Sequence, residues 1–184
     1  MDEAAGHDAA DGDDAARAVA CALAVLFSTA GLGVDRRTGE LLRQEMLLAG
    51  RSGSRHPVFE VVVLDSLGYL DAADGELAAA RTHRTEALEL AVACGHAPTL
   101  AQVLVGVADQ AVRLDRPREA ARLLAAALAV RSGPDHSRPD AARAEGAARA
   151  ALGDAFEEYA RYEDAGDVPR PAAVRDLARV TLSG

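Results

Sequence analysis

"LGYLDAADGELAAARTHRTEALELA", residues 67–91, reads as a helix, a tight turn at Gly75 and a second helix. Small residues stand at Gly68, Ala80 and Ala87, at the intervals where two helices must approach closely. The pattern recurs downstream. Aligning the turn at Gly75 with a second turn at Asp115 gives an offset of 115 − 75 = 40 positions. Leu64 then falls on Leu104, Leu67 on Val107 and Gly68 on Ala108. Ala80 falls on Ala120, and Ala87 on Ala127. Repetition of this kind marks stacked helix pairs, each burying the apolar face its neighbour exposes.

Composition points the same way. The chain has 184 residues, of which 49% are hydrophobic and only 3% aromatic, with no Trp. Alanine and leucine must do the packing, which suits helices better than sheets. Lys, Ile and Asn are absent, so all 20 basic residues are Arg. Those three types need A/T-rich codons, and a GC-rich bacterial source such as an actinomycete is expected. Without Lys, a Walker A phosphate loop and a Schiff-base lysine are both excluded. The net charge is −9, and the arginines are scattered among 29 acids. No basic stripe exists, so no direct nucleic-acid partner is expected.

Outward from the middle pairs, residues 1–12 read as a disordered acidic tail before one helical domain, 13–184. Helices are expected at 14–30, 36–48, 58–73, 76–93, 99–114, 117–131, 140–152, 154–163 and 171–182. The run VFEVVVL, residues 58–64, is β-branched and locally strand-like. It continues into DSLGYLDAAD without a break, so it is read as helix. These helices group into repeat-like pairs at 14–50, 57–95 and 97–131, followed by C-terminal capping helices at 139–182. The run AVACALAVLF, residues 18–27, resembles a signal-peptide core, but an acidic leader precedes it. It is also too short to span a membrane. With Cys21 and Cys94 both in apolar stretches, the expectation is a cytoplasmic protein with buried free thiols and no membrane partner.

Leu67-Gly68, Gly75, Ala80 and Ala87 resemble the tetratricopeptide repeat. The second copy keeps its alanines but replaces both glycines, and the family's second-helix aromatic position holds Arg84 and Leu124. The period is about six residues longer than the standard 34. Leu152-Gly153, Phe156, Gly166 and the segment from Pro169 resemble the end of the repeat region in actinobacterial transcriptional regulators. These are the antibiotic-pathway activators and LuxR-type ATPase regulators, and the likeness spans roughly residues 57–182. Those regulators carry DNA-binding and nucleotide-binding domains, which this sequence lacks. The resemblance implies an all-α, right-handed helical-repeat solenoid of antiparallel helix pairs. It also implies a regulatory interaction module.

In that family the first helix of each pair lines a concave face. The positions that point into it carry Asp65, Tyr69, Gln102, Asp109 and Arg113 as their polar members here. The resemblance implies a groove for a protein or peptide partner, with the two aspartates favouring a basic segment and Arg113 able to receive a carboxylate. A solvated polar face with no ligand is the plainer reading. A small-molecule-responsive regulator fragment and an accessory protein or small helical enzyme of a biosynthetic pathway are the alternatives.

Other chemistry is thin. GRSGSRHP, residues 50–57, carries Arg51, Arg55 and His56 around two serines, and reads as an exposed loop. Ser54 stands where a nucleophile elbow needs its last Gly. Cys94, His96 and His83 lack a second ligand pair, so no metal is expected. The acids Glu157, Glu158, Glu163 and Asp164 read as a charged surface. No nucleophile–base pair emerges. No catalytic residue and no cofactor are assigned, and the function expected is non-catalytic.

Overall fold

The structure, a computed structural model, describes residues 57–133, 139–161 and 170–183, together with Leu41 and Gln44, which are helical. The expected tail at 1–12, the pair at 14–50 apart from those two residues, and the loop at 50–56 lie outside the described residues. Among the described residues every regular element is helical and there is no strand.

Helix α1 spans Pro57–Ala73, α2 Leu77–Cys94, α3 Ala97–Arg113 and α4 Pro117–Arg131. Helix α5 spans Pro139–Leu152, and a 3-10 turn covers Gly153–Ala155. A single turn, α6, covers Phe156–Tyr159, and α7 spans Pro171–Ser183. Proline opens α1, α4, α5 and α7, where its missing N–H costs nothing and its φ already suits the helix. The β-branched run is helical because its side chains are enclosed: Val61 and Val63 are buried. Tertiary packing outweighs their weak preference for strands.

The 40-residue offset reappears in three backbone hydrogen bonds of each turn. After α1, the Asp74, Gly75 and Glu76 amides donate to the carbonyls of Leu70, Ala72 and Asp71 at 3.0, 3.4 and 2.8 Å. After α3, the Leu114, Asp115 and Arg116 amides donate to Gln110, Val112 and Ala111 at 3.0, 3.0 and 2.8 Å. Both turns pass through the left-handed region, with φ of 85° at Gly75 and 57° at Asp115. Glycine adopts that conformation freely, and aspartate is among the few others that tolerate it.

Consecutive helices from α1 to α6 pack as neighbours, and α3 also touches both α1 and α5. The alanines close these contacts: Ala80, Ala87, Ala120 and Ala127 are all buried. Leu88, Leu104, Leu123, Val103 and Val107 are fully buried between them. Each such side chain contributes roughly 1.5–3 kcal/mol on leaving water.

The C-terminal helices take different places. Helix α5 packs against α4 and α3. Of the stretch expected as one helix at 154–163, residues 162–163 lie outside the described residues, and the described part holds a 3-10 turn and the single turn α6. Only Phe156 of that short run is buried, so little holds a longer helix to the body. Helix α7 lies against α2, α3 and α4, with Val174, Ala178 and Leu182 inward. Arg179 Nε donates to Glu89 at 2.8 Å, and Arg116 donates to the Thr181 carbonyl at the end of α7. A cation there also suits the negative end of the helix.

Candidate functional site

Helices α1, α3 and α5 lie side by side and share one polar network with Arg84 of α2 at its centre. The Arg84 side chain is wholly buried. It donates to Gln110 Oε1 at 3.0 Å and to Asp109 Oδ2 at 3.3 Å. Its guanidinium also stands 4.8 Å from the centroid of the Tyr69 ring, within cation–π range. Gln110 in turn donates to the Leu77 carbonyl at the start of α2.

Two glycines make room for this arginine. A Cβ at Gly68 of α1 would meet Arg84 Cγ at 2.8 Å. A Cβ at Gly106 of α3 would meet Asp65 Oδ1 at 2.5 Å and Arg84 Nε at 3.4 Å. The slot therefore holds both a guanidinium and a carboxylate only because neither backbone carries a side chain there.

Asp109 gathers three arginines. Besides Arg84, it accepts from Arg113 Nε at 2.8 Å and from Arg143 at 3.4 Å. Arg113 also donates to the Ala72 carbonyl at 3.0 Å, tying α3 to α1. Arg143 of α5 also pairs with Asp140 at 3.0 Å. Gln102 donates to Asp65 Oδ2 at 3.0 Å. Burial works against ionisation of Asp109, but Arg84, Arg113 and Arg143 outweigh it and hold its carboxyl below the ordinary range. Burial pushes the Tyr69 phenol well above its usual value, Asp65 adds to this, and Arg84 only partly opposes it. Arg143 is held more strongly protonated than usual: its partial burial is overcome by Asp109 and Asp140.

The five residues expected on the concave face are thus brought into one network, but not as an open surface. Asp65, Tyr69 and Asp109 are 1%, 6% and 4% exposed, against the expectation of accessible side chains. The reason is that Arg84, Gln102 and the arginines around Asp109 fold their hydrogen-bonding capacity inward. Gln102 is half-buried, and the Arg113 side chain is 35% exposed. Sequence reasoning missed Arg84, Gln110, Asp140 and Arg143. The available signal was an arginine where the tetratricopeptide resemblance expects an aromatic, opposite a glycine on the neighbouring helix.

Tyr69 is held protonated and Asp109 ionised. Elsewhere, His83 Nδ1 contacts Asp71 at 2.6 Å, and His96 Nδ1 contacts the Thr99 hydroxyl at 2.6 Å at the start of α3. Among the described residues no cluster of three or more His, Cys, Asp or Glu side chains could hold a metal. No helix among them is long and apolar enough to cross a membrane.

Comparisons with models of known families, with curated proteins and with solved structures found no match.

Proposed function

We propose that this chain is a non-catalytic, tetratricopeptide-like binding module that recognises a protein or peptide partner in a cytoplasmic regulatory assembly. The observation that supports this best is the sharing of Asp109 by three arginines. Two of them, Arg113 and Arg143, reach the surface with side chains 35% and 42% exposed. The interior of the face is neutralised by its own pairs, so its outer edge presents guanidinium groups. A partner carboxylate can share Arg113 or Arg143 through charge-assisted hydrogen bonds, as Asp109 already does. This reading favours an acidic segment or a chain end over a basic segment, because the buried Asp65 and Asp109 cannot reach a partner. The paired turns 40 residues apart and the adjacency of α1, α3 and α5 support a repeat architecture.

The test is site-specific photo-crosslinking in the native host. A crosslinker placed at Gln102, half-buried at the edge of the face, should capture one partner reproducibly. The same crosslinker at the exposed Val180 of α7 should not. Capture of the same partner from Val180 alone would move recognition to α7 and defeat the proposal.

A further inference from the structure

Between α3, α4, α5 and α6 lies a cavity of about 450 Å³. It shares no residue with the polar network and does not depend on the partner-binding reading. Its size falls within the range of small-molecule sites, roughly 300–1,000 Å³.

The cavity exists because facing positions carry small side chains. Ala125 of α4 and Ala142 of α5 line it where larger residues would close the gap between these helices. Val105 supplies part of the apolar wall, and Phe156 of α6 supplies the aromatic one. Leu128 also lines it and is 49% exposed, so its apolar side chain is reachable by a ligand entering from solvent.

The charged groups at the cavity are engaged within the protein. Arg149 donates from Nε to Glu145 at 2.8 Å and from NH1 to Glu157 at 2.7 Å. Its guanidinium stacks 4.0 Å from the Phe156 ring centroid. This bracket joins α5 to α6 and holds Phe156 in the wall. Arg131 donates to the Pro98 carbonyl at 3.3 Å. The lining arginines, Arg131 and Arg149, balance the lining glutamates, Glu145 and Glu157, so among the described residues the lining carries no formal net charge. A charged ligand would have to compete with these pairs. An uncharged one leaves them intact and covers alanine, leucine and phenylalanine surface.

We propose that this cavity binds an uncharged, predominantly apolar small molecule. The full chain should be titrated with Nile red, a neutral polarity-sensitive dye, and in parallel with the anionic dye 1-anilinonaphthalene-8-sulfonate. The expected result is saturable one-to-one binding of Nile red with blue-shifted emission, and binding of the anionic dye at least tenfold weaker. Ala125→Phe fills the cavity and should weaken Nile red at least tenfold. Leu128→Arg, on the exposed side, should do the same, and it keeps the test decisive if Ala125→Phe does not fold. Val180→Ser, an exposed apolar position on α7, should leave binding unchanged. Absence of saturable Nile red binding, which a groove reserved for a protein side chain would show, overturns the proposal. So does equal or tighter binding of the anionic dye, or unchanged affinity in a folded Leu128→Arg variant.

Discussion

Gly68 of α1 faces Arg84 of α2 so closely that a single added carbon would stand 2.8 Å from the arginine's Cγ. The corresponding positions 40 residues later hold Ala108 and Leu124. The two pairs thus differ together: glycine accompanies the guanidinium stem, and alanine accompanies the smaller leucine. Gly68→Ala should therefore cost about 1–3 kcal/mol of stability through overpacking. In an Arg84→Leu background the same change should cost less than half as much. Denaturant melts of the four proteins in this cycle give the coupling directly. Equal costs in both backgrounds would show that Arg84 does not set the glycine.

Asp109 makes stability depend on acidity in a defined direction. Its folded-state carboxyl is held below the ordinary range, so the unfolded chain binds the proton first as pH falls. The stabilisation is therefore complete above the unfolded carboxylate value, about 3.9, and is lost as pH drops toward the folded one. Asp109→Asn should be less stable than wild type by about 3 kcal/mol at pH 7, because three arginines lose their shared carboxylate. That gap should stay constant down to about pH 5 and shrink below about pH 4. Urea melts across this range check it, and a gap independent of pH would contradict the assignment.

The Tyr69 ring and hydroxyl make opposite contributions to stability. Its hydroxyl is buried with no hydrogen-bond partner among the described residues, while its ring carries the Arg84 contact. Tyr69→Phe removes the unsatisfied group and keeps the ring, so stability should be unchanged or rise by up to about 1 kcal/mol. Tyr69→Ala should cost about 3–5 kcal/mol, as for other buried aromatics. Thermal melts of both variants test this. A large loss in Tyr69→Phe would mean that the hydroxyl has a partner.

Ala80 and Ala120 are both fully buried and occupy matching places in their pairs. Ala80→Leu and Ala120→Leu should each destabilise by about 1–3 kcal/mol through overpacking. Wild-type melting temperatures for both would break the structural equivalence of the two pairs.

The helix pairs were legible because their signals are local. A left-handed turn residue, a proline at a first helical turn and alanines at fixed spacing each have a direct conformational cause. The return of α7 onto α2, α3 and α4 was not legible. Val174, Ala178 and Leu182 define a buried stripe, but spacing does not say which surface receives it. The candidate site was half legible. Repeat positions placed Asp65, Tyr69, Gln102, Asp109 and Arg113 on adjoining helices, and the structure joins them in one network. Their depth was not readable, since it arises from Arg84 entering between two glycines far apart in sequence. Gly106 carries no turn or left-handed signal, so its role shows only when Asp65 and Arg84 stand beside it.

The recognition edge proposed for this chain is the pair Arg113 and Arg143 beside Asp109. Its most direct measurement is calorimetric titration of the crosslinked partner, once identified, against Arg113→Ala, Arg143→Ala and a control, Arg175→Ala, on α7. Arg113→Ala and Arg143→Ala should each weaken binding by about 1 kcal/mol or more, with helicity retained and Arg175→Ala unchanged. Wild-type affinity in both edge variants, with the fold intact, would contradict it.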